Sequence, residues 1–254
     1  MSQAWETLGD RLSALRRRNL LAYAVRAFFN ARSYCEVETP YAVAAPGEEV
    51  HLRAVPAGTR RYLNTSPEFA MKKLLAGGSG PIFQMARVWR EEPVSATHAP
   101  EFTMLEWYSD KADMGALMDE TEALLRAVLP PEVTCQGVTT SLARFERISV
   151  AEAFARHVGV DVLASEGDAA MLAANARVTL RPGEDWEDLF FRLLLERIEP
   201  HLGREHPTFL THYPAAQAAL ARRAPEDKRV AERFELYVCG VELANAFVEL
   251  TDAA

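Results

Sequence analysis

Phe83–Tyr108 reads FQMARVWREEPVSATHAPEFTMLEWY, and it parses as strand, loop, strand. Ile82 to Arg90 carries apolar and β-favouring residues. Glu91 to Pro100 is polar and holds two prolines, which cannot donate to a ladder. Glu101 to Tyr108 alternates, with Phe102, Met104, Glu106 and Tyr108 on one face and Thr103, Leu105 and Trp107 on the other. An aromatic ring, a thioether, a carboxylate and a phenol in register suit a binding floor better than a core. Arg90 and Glu92 stand where the first strand enters the loop, so a permanently charged guanidinium is expected above that floor. An ordinary hairpin with one wet face and a surface Arg–Glu pair fits the same pattern.

Arg90-x-Glu92, the loop bearing His98 and the run PEFTMLEWY together resemble motif 2 of class II aminoacyl-tRNA synthetases of the lysyl type. Arg26 to Pro40 is similar to their motif 1, a long helix and strand ending in proline. Thr65 to Leu75 (TSPEFAMKKLL) and Gly240 to Asp252 (GVELANAFVELTD) resemble the amino-acid and ATP segments of the same group. Four segments in the family's order cover nearly the whole chain. The resemblance implies an α+β fold, an antiparallel sheet flanked by helices, with residues 1–254 as one catalytic domain.

Composition is that of a globular protein. The 254 residues are 49% hydrophobic and 25% charged, enough to bury a sizeable core. No apolar run approaches a bilayer span, and MSQAWETLGD lacks the apolar centre of a signal peptide. Cys35, Cys135 and Cys239 are odd in number and without metal-ligand spacing, so three reduced thiols in the cytoplasm are expected. The net charge of −8 argues against a polyanion as main partner. Arg16, Arg17 and Arg18 with Arg11 read as a solvated helix face.

In chain order, residues 6–33 read as a helix with Leu8, Leu12, Leu15, Leu20, Ala24, Ala27 and Phe28 at roughly helical spacing. In the resembled family this helix and the strand Glu36 to Thr39 build a homodimer interface; an amphipathic helix packed on its own core is the alternative. Arg60 to Asn64 reads as a strand. Ser66-Pro67-Glu68 starts a helix, with Ser66 as cap, Pro67 at the first position and Glu68 in the first turn. Gly77-Gly78-Ser79-Gly80 stops it. Asp113 to Leu129 reads as a helix capped at Asp110 or Asp113. Residues 149–200 read as helical, with a capping box at Ser149 and Glu152. His157, His201, His206 and His212 share no metal-ligand spacing.

Val230 to Val238 and Val241 to Leu250 form a hairpin through Cys239-Gly240, a pair suited to a two-residue turn. A regular register sets Tyr237 opposite Glu242 and Glu235 opposite Ala244, making Glu235 and Glu242 diagonal neighbours. Two such carboxylates can hold Mg²⁺ and leave coordination sites for phosphates; two exposed glutamates fit equally. Asn245, Phe247 and Glu249 would fall on the opposite face. If both sets serve one site, a bulge or twist must lie between Glu242 and Asn245.

The resemblance implies roles at matching positions. Arg90 would hold the ATP α-phosphate, Glu91, Glu92, His98, Glu242 and Leu243 would place the nucleotide, and Phe102 would stack on adenine. Glu235 and Glu242 would bind Mg²⁺. Ser66, Pro67, Glu68, Glu106, Tyr108, Asn245 and Glu249 would form the amino-acid pocket. Several acids in one pocket suit a substrate with two ammonium groups, lysine or β-lysine, because an unpaired buried charge is costly on either side.

Ser66 stands where lysyl-tRNA synthetases usually carry alanine, and motif 1 begins about 25 residues in, without room for a preceding anticodon-binding domain of ordinary size. Both features resemble the stand-alone synthetase paralogues that lysylate elongation factor P, with tRNA an unlikely acceptor. A lysyl-tRNA synthetase fragment and an inactive ATP or amino-acid sensor are the alternatives. Three departures bear on activity. Ala99 replaces an asparagine common after the histidine. Ala246 replaces a glycine, which is expected to add a methyl beside the pocket. The sequence ends where the family continues into motif 3, so weak ATP binding by these 254 residues is expected.

Overall fold

The computed structural model describes residues 8–47, 52–110 and 113–251. Asp252 of the resembled ATP segment, residues 6 and 7 of the expected first helix and the side chain of Leu8 lie outside them. Contacts divide the chain into two compact units, Met1–Lys111 and Ala112–Ala254.

The first unit is built on three strands. β4 (Ile82–Trp89) pairs antiparallel with β5 (Glu101–Tyr108), from Ile82 opposite Tyr108 to Trp89 opposite Glu101. β1 (Cys35–Glu36) joins the other edge in parallel, so the first sheet is mixed rather than wholly antiparallel. Helix α1 (Leu8–Asn30) covers one face of this sheet. Phe29, fully buried, stacks on Phe83 at 4.7 Å and lies 5.5 Å from Trp107, while Arg18 donates to the Thr103 hydroxyl at 2.8 Å. The face opposite Thr103 and Trp107 is thereby left for Phe102, Glu106 and Tyr108, as alternation requires.

Burial on α1 differs from a helix packed along its whole stripe. Val25, Phe28 and Phe29 are buried, but Leu12, Leu15 and Leu20 are 51–67% exposed. The expected strand at 36–39 is shorter than its pattern suggested, and Arg60 to Asn64 contributes only β3 (Tyr62–Leu63), paired with β2 (Ala42–Val43). Helix α2 (Glu68–Ala76) follows, with Pro67 in helical conformation just ahead of it (φ −79°, ψ −1°). Ser66 Oγ accepts from the Glu68 N–H at 3.0 Å, which is the capping its position predicts. Gly77 N–H bonds back to Lys73 O, and Gly78 adopts φ +87°, ending the helix.

The second unit centres on four strands ordered β11 (Val241–Phe247), β10 (Val230–Val238), β9 (Thr208–Pro214), β8 (Glu146–Ser149). β8 and β9 run parallel; the other pairs are antiparallel. One face packs Phe209, Phe234 and Leu236 against Met114, Met118 and Leu125 of α3 (Met114–Val128). Asp113 caps α3 by accepting from Ala116 N–H at 2.7 Å. The other face packs Leu210, Tyr213 and Tyr237 with α4 (Val150–His157), α5 (Ala169–Ala176) and α6 (Trp186–Leu193). Both hydrogen bonds of the Ser149–Glu152 capping box form at α4. A second box, Asp185 with Asp188, starts α6. The helix runs on through a π turn, Leu194–Ile198. β6 (Glu132–Cys135) and β7 (Val138–Ser141) make a separate ribbon.

Candidate functional site

In the first unit, contacts link Ser66, Glu106 and Tyr108 and, through the adjoining Thr65, Arg90 and Phe102, whereas among the described residues Glu91, Glu92 and His98 make no side-chain hydrogen bond or ion pair with them. Glu106 is the centre. Ser66 Oγ donates to Glu106 Oε1 at 2.6 Å, and the Tyr108 hydroxyl donates to Glu106 Oε2 at 2.8 Å. Both carboxylate oxygens are therefore oriented by neutral donors, from the α2 start and from two residues along the same strand. Gln84 sits opposite Glu106 across the sheet; it is 2% exposed and its Oε1 accepts from the Thr39 hydroxyl. Burial pushes the Glu106 carboxyl above the usual range, and the nearby Glu68 charge adds to this; Ser66, Tyr108 and Lys72 act in the opposite sense.

Glu68 lies at the first turn of α2, where its charge complements the helix dipole. Its Oε1 receives the Lys72 ammonium at 2.6 Å, one helical turn on. Lys72 had no assigned role in the sequence reading, although i,i+4 spacing from Glu68 was the available signal.

Arg90 stands at the end of β4. Its Nε donates to the Thr65 carbonyl at 3.3 Å, and its guanidinium lies 5.5 Å from the centre of the Phe102 ring. One donor of the fork is spent on the segment that leads to Ser66, which ties the cation to the start of α2. Glu91 is exposed and Glu92 half-buried. The loop folds on itself, with Ser95 Oγ accepting from the His98 N–H and lying 2.9 Å from His98 Nδ1. His98 and Ala99 are exposed.

In the second unit the hairpin turn is as expected, with Cys239 and Gly240 both at positive φ (55° and 74°). Tyr237 faces Glu242, but the register then shifts: Leu236 faces Ala244, and Glu235 faces Asn245 rather than Ala244. Leu243 is the extra residue and is 53% exposed. The bulge required between Glu242 and Asn245 is present, and it brings Glu235, Tyr237, Glu242 and Asn245 onto one face. Glu249, two residues beyond the end of β11, bridges to Ala221 and is half-buried. The Ala246 methyl does not border this face. It packs on the α3 side against the cluster of Phe234 and Leu236, because alternation turns it away from Asn245.

Glu235 is 7% exposed and well anchored. Arg233, two residues earlier on the same face, donates to Oε1 at 2.8 Å and lies over the Tyr213 ring at 4.5 Å. The Tyr237 hydroxyl donates to Oε2 at 2.7 Å and is 3.1 Å from Glu199 Oε1. One phenol hydrogen serves one carboxylate at a time. Burial, with the Glu235 charge behind it, raises the Glu199 carboxyl, and the contact with the Tyr237 hydroxyl acts in the opposite sense. The sequence reading missed this network. Alternation of Arg233, Glu235 and Tyr237 was its visible signal.

Glu235 and Glu242 remain diagonal neighbours, and their oxygens are the hard donors that Mg²⁺ takes. Among the described residues no group of three or more His, Cys, Asp or Glu side chains could hold a metal ion. The two carboxylates therefore fit Mg²⁺ only with further oxygens, as nucleotide phosphates would supply. Glu235 already directs each oxygen at a donor and is buried, whereas Glu242 is exposed.

The family model described as class II tRNA synthetases (D, K and N) matches residues 9–254. The elongation factor P–(R)-beta-lysine ligase of Hamiltonella defensa is 41% identical over 269 residues, covering 100% of this chain and 79% of that protein. The ligase of the same name from Edwardsiella ictaluri is 42% identical, covering 99% of this chain and 77% of its own length. That of Salmonella paratyphi B is 42% identical, with 98% and 77% covered.

Proposed function

The chain belongs to the class II tRNA synthetase family (D, K and N), and from that premise we propose that it is an ATP-dependent ligase. It joins (R)-β-lysine to a lysine side chain of elongation factor P. The observation that carries the reading is the similarity, across 98–100% of the chain, to proteins named for that reaction. The Ser66–Glu106–Tyr108 network supports it, since an oriented, largely buried carboxylate suits an ammonium substrate.

The reaction has two steps, and the family resemblance assigns residues to each. The substrate carboxylate attacks the α-phosphorus of ATP, the bond to pyrophosphate breaks, and an aminoacyl-adenylate forms. The amine of the acceptor lysine then attacks the acyl carbon, and AMP leaves as the amide forms. Arg90 neutralises charge on the α-phosphate, with Glu91, Glu92, His98 and the Leu243 segment placing the nucleotide and Phe102 stacking on adenine. Ser66, Pro67, Glu68, Glu106, Tyr108, Asn245 and Glu249 hold the amino acid. Mg²⁺, held by Glu242 and Glu235, would neutralise the phosphates and orient pyrophosphate as leaving group. No protein nucleophile is needed; alignment and charge stabilisation supply the rate.

We assign the reaction to the cytoplasm, where a translation factor works; no described helix is long and apolar enough to cross a membrane. A homodimer through α1 is proposed from the exposed Leu12, Leu15 and Leu20. The net charge of −8 supports a protein acceptor over tRNA. Pyrophosphate exchange tests the first step: it should require (R)-β-lysine or lysine and Mg²⁺. Exchange with neither amino acid would favour an inactive sensor.

A further inference from the structure

We propose that Arg233 is a resident cation of the Glu235–Glu242 pair, one that keeps the nucleotide-free pair from taking a bare divalent ion and so admits the metal together with its nucleotide. Arg233 is a positioning residue that acts through Glu235, and the proposal rests on the reading that these two carboxylates serve Mg²⁺.

Arg233 is fixed from three sides. Its Nη2 donates to Glu235 Oε1 at 2.8 Å, its Nη1 donates to the Gln217 carbonyl at 3.0 Å, and its guanidinium lies 4.5 Å from the centre of the Tyr213 ring. The last two partners are independent of Glu235, so the cation does not rely on that carboxylate to hold its place. The side chains of Arg233 and Glu235 are 15% and 9% exposed, which leaves little water to screen the pair. A guanidinium keeps its proton at any working pH. The positive charge beside Glu235 is therefore permanent.

The second oxygen of Glu235 accepts from the Tyr237 hydroxyl at 2.7 Å. A carboxylate oxygen has about two acceptor sites, so Glu235 retains lone pairs for a metal while its charge is already matched. Glu242 is exposed and lies on the same face across the hairpin. Together the two carboxylates and this guanidinium carry one net negative charge. Mg²⁺ dehydrates reluctantly and is ordinarily held by one or two carboxylates plus phosphate oxygens. A pair neutralised to that extent competes poorly for the free ion. The same guanidinium offsets repulsion between the two acids and the anionic complex of Mg²⁺ with ATP. Weak binding of the bare ion and acceptance of the nucleotide complex thus follow from one charge.

Removing that charge should move the two affinities in opposite directions, which a loosened fold would not do. A unit charge about 6 Å from a divalent ion changes its affinity by about tenfold even at the dielectric of water. Mn²⁺, the paramagnetic stand-in for Mg²⁺, is titrated by electron paramagnetic resonance into the nucleotide-free protein at about pH 8, above the ordinary carboxylate range. The wild type should bind Mn²⁺ more weakly than ATP itself does. R233Q should bind it about tenfold more tightly than the wild type, R233K should stay near the wild type, and R233Q/E235Q should lose the gain. Affinity for the Mg²⁺ complex of ATP, measured by calorimetry, should fall in R233Q and be restored in R233K. R233M, an apolar match for the Tyr213 ring, replaces R233Q if that variant melts early. A wild type that holds Mn²⁺ more tightly than ATP does, neutral variants without a gain, or a gain that survives E235Q would overturn the proposal. A wild type that binds no nucleotide complex would count against the functional reading, while the Mn²⁺ titration would still decide the role of Arg233.

Discussion

The two groups of candidate residues are held in place by different means. In the first unit, side chains orient side chains: Ser66 and Tyr108 fix Glu106, Lys72 fixes Glu68, and the Thr65 carbonyl fixes Arg90. In the second, the backbone does the placing. A single extra residue, Leu243, determines that Asn245 shares a face with Glu235 and Glu242. Side-chain networks can lose a member while the sheet survives. Backbone register cannot shift without turning every following side chain to the other face. Substitutions in the first unit should therefore cost function more than stability, and disturbances near β10 and β11 should cost both.

The largest functional effect is expected from R90A. The Arg90 fork is the donor assigned to charge on the α-phosphate, and loss of a preorganised donor to a developing charge costs about 10²–10³-fold in rate. Pyrophosphate exchange should fall by at least that factor with the melting temperature nearly unchanged. A comparable fall in melting temperature would show that Arg90 holds the fold and would break the contrast.

E106Q comes next. It keeps the size and one of the two acceptor oxygens, obliges the hydroxyl facing the new NH2 to turn and accept, and removes the charge assigned to the substrate ammonium. A hydrogen bond to a charged group contributes about 1.5–3 kcal/mol, so KM for the amino acid should rise roughly 10–100-fold, with a smaller change in kcat. The wild type should lose amino-acid affinity on acidification at a higher pH than an ordinary carboxylate would dictate, because the folded-state value is raised. The bond is made by the ionised form, so affinity is present above that value and is lost as pH falls through it. E106Q should lack this dependence.

G203A sharpens the other half. Gly203 adopts φ +63°, and a Cβ there would meet the Tyr237 carbonyl carbon and oxygen at 2.5 Å. Neither the conformation nor the contact tolerates a methyl, and the strand that must yield carries Tyr237 and Glu235. Chemical denaturation should show a loss of about 2–4 kcal/mol, accompanied by weaker Mg²⁺ dependence of exchange. A stable G203A protein with normal exchange would mean that the β10 backbone has more freedom than its packing suggests.

The smallest effect lies away from both groups. Arg192 hydrogen-bonds Glu184, and with the Arg181 N–H it holds the Glu184 carboxyl at about 2, below its ordinary 4.5. A depressed folded-state value stabilises the protein above about pH 4.5, and that contribution is lost as pH falls towards 2. Melting curves of the wild type and E184Q should converge across that window and differ modestly at neutral pH, with catalysis unaffected.

Legibility in the sequence followed the same divide. Local signals carried far: the alternation in Glu101–Tyr108, the Cys239-Gly240 turn, the Asp113 cap and the Ser149 box all correspond to formed elements. The need for a bulge beyond Glu242 followed from side-chain period alone, but its place at Leu243 did not, because register is set by pairing with the whole of β10. That difference shifted the partner of Glu235 by one residue and misplaced the Ala246 methyl. The exposed leucines of α1 had the spacing of a packed stripe, and spacing does not say what covers it. Lys72 and the Glu199–Tyr237–Glu235 chain were missed because their meaning depends on which other charges lie beside them in space.

The most direct test of the proposed reaction is the intact mass of elongation factor P after incubation with this protein, ATP, Mg²⁺ and (R)-β-lysine, with tRNA present in equal amount. The account predicts that elongation factor P gains the mass of one lysyl group on a lysine side chain, that the gain disappears with R90A, and that tRNA stays uncharged. An unmodified elongation factor P alongside aminoacylated tRNA would contradict it.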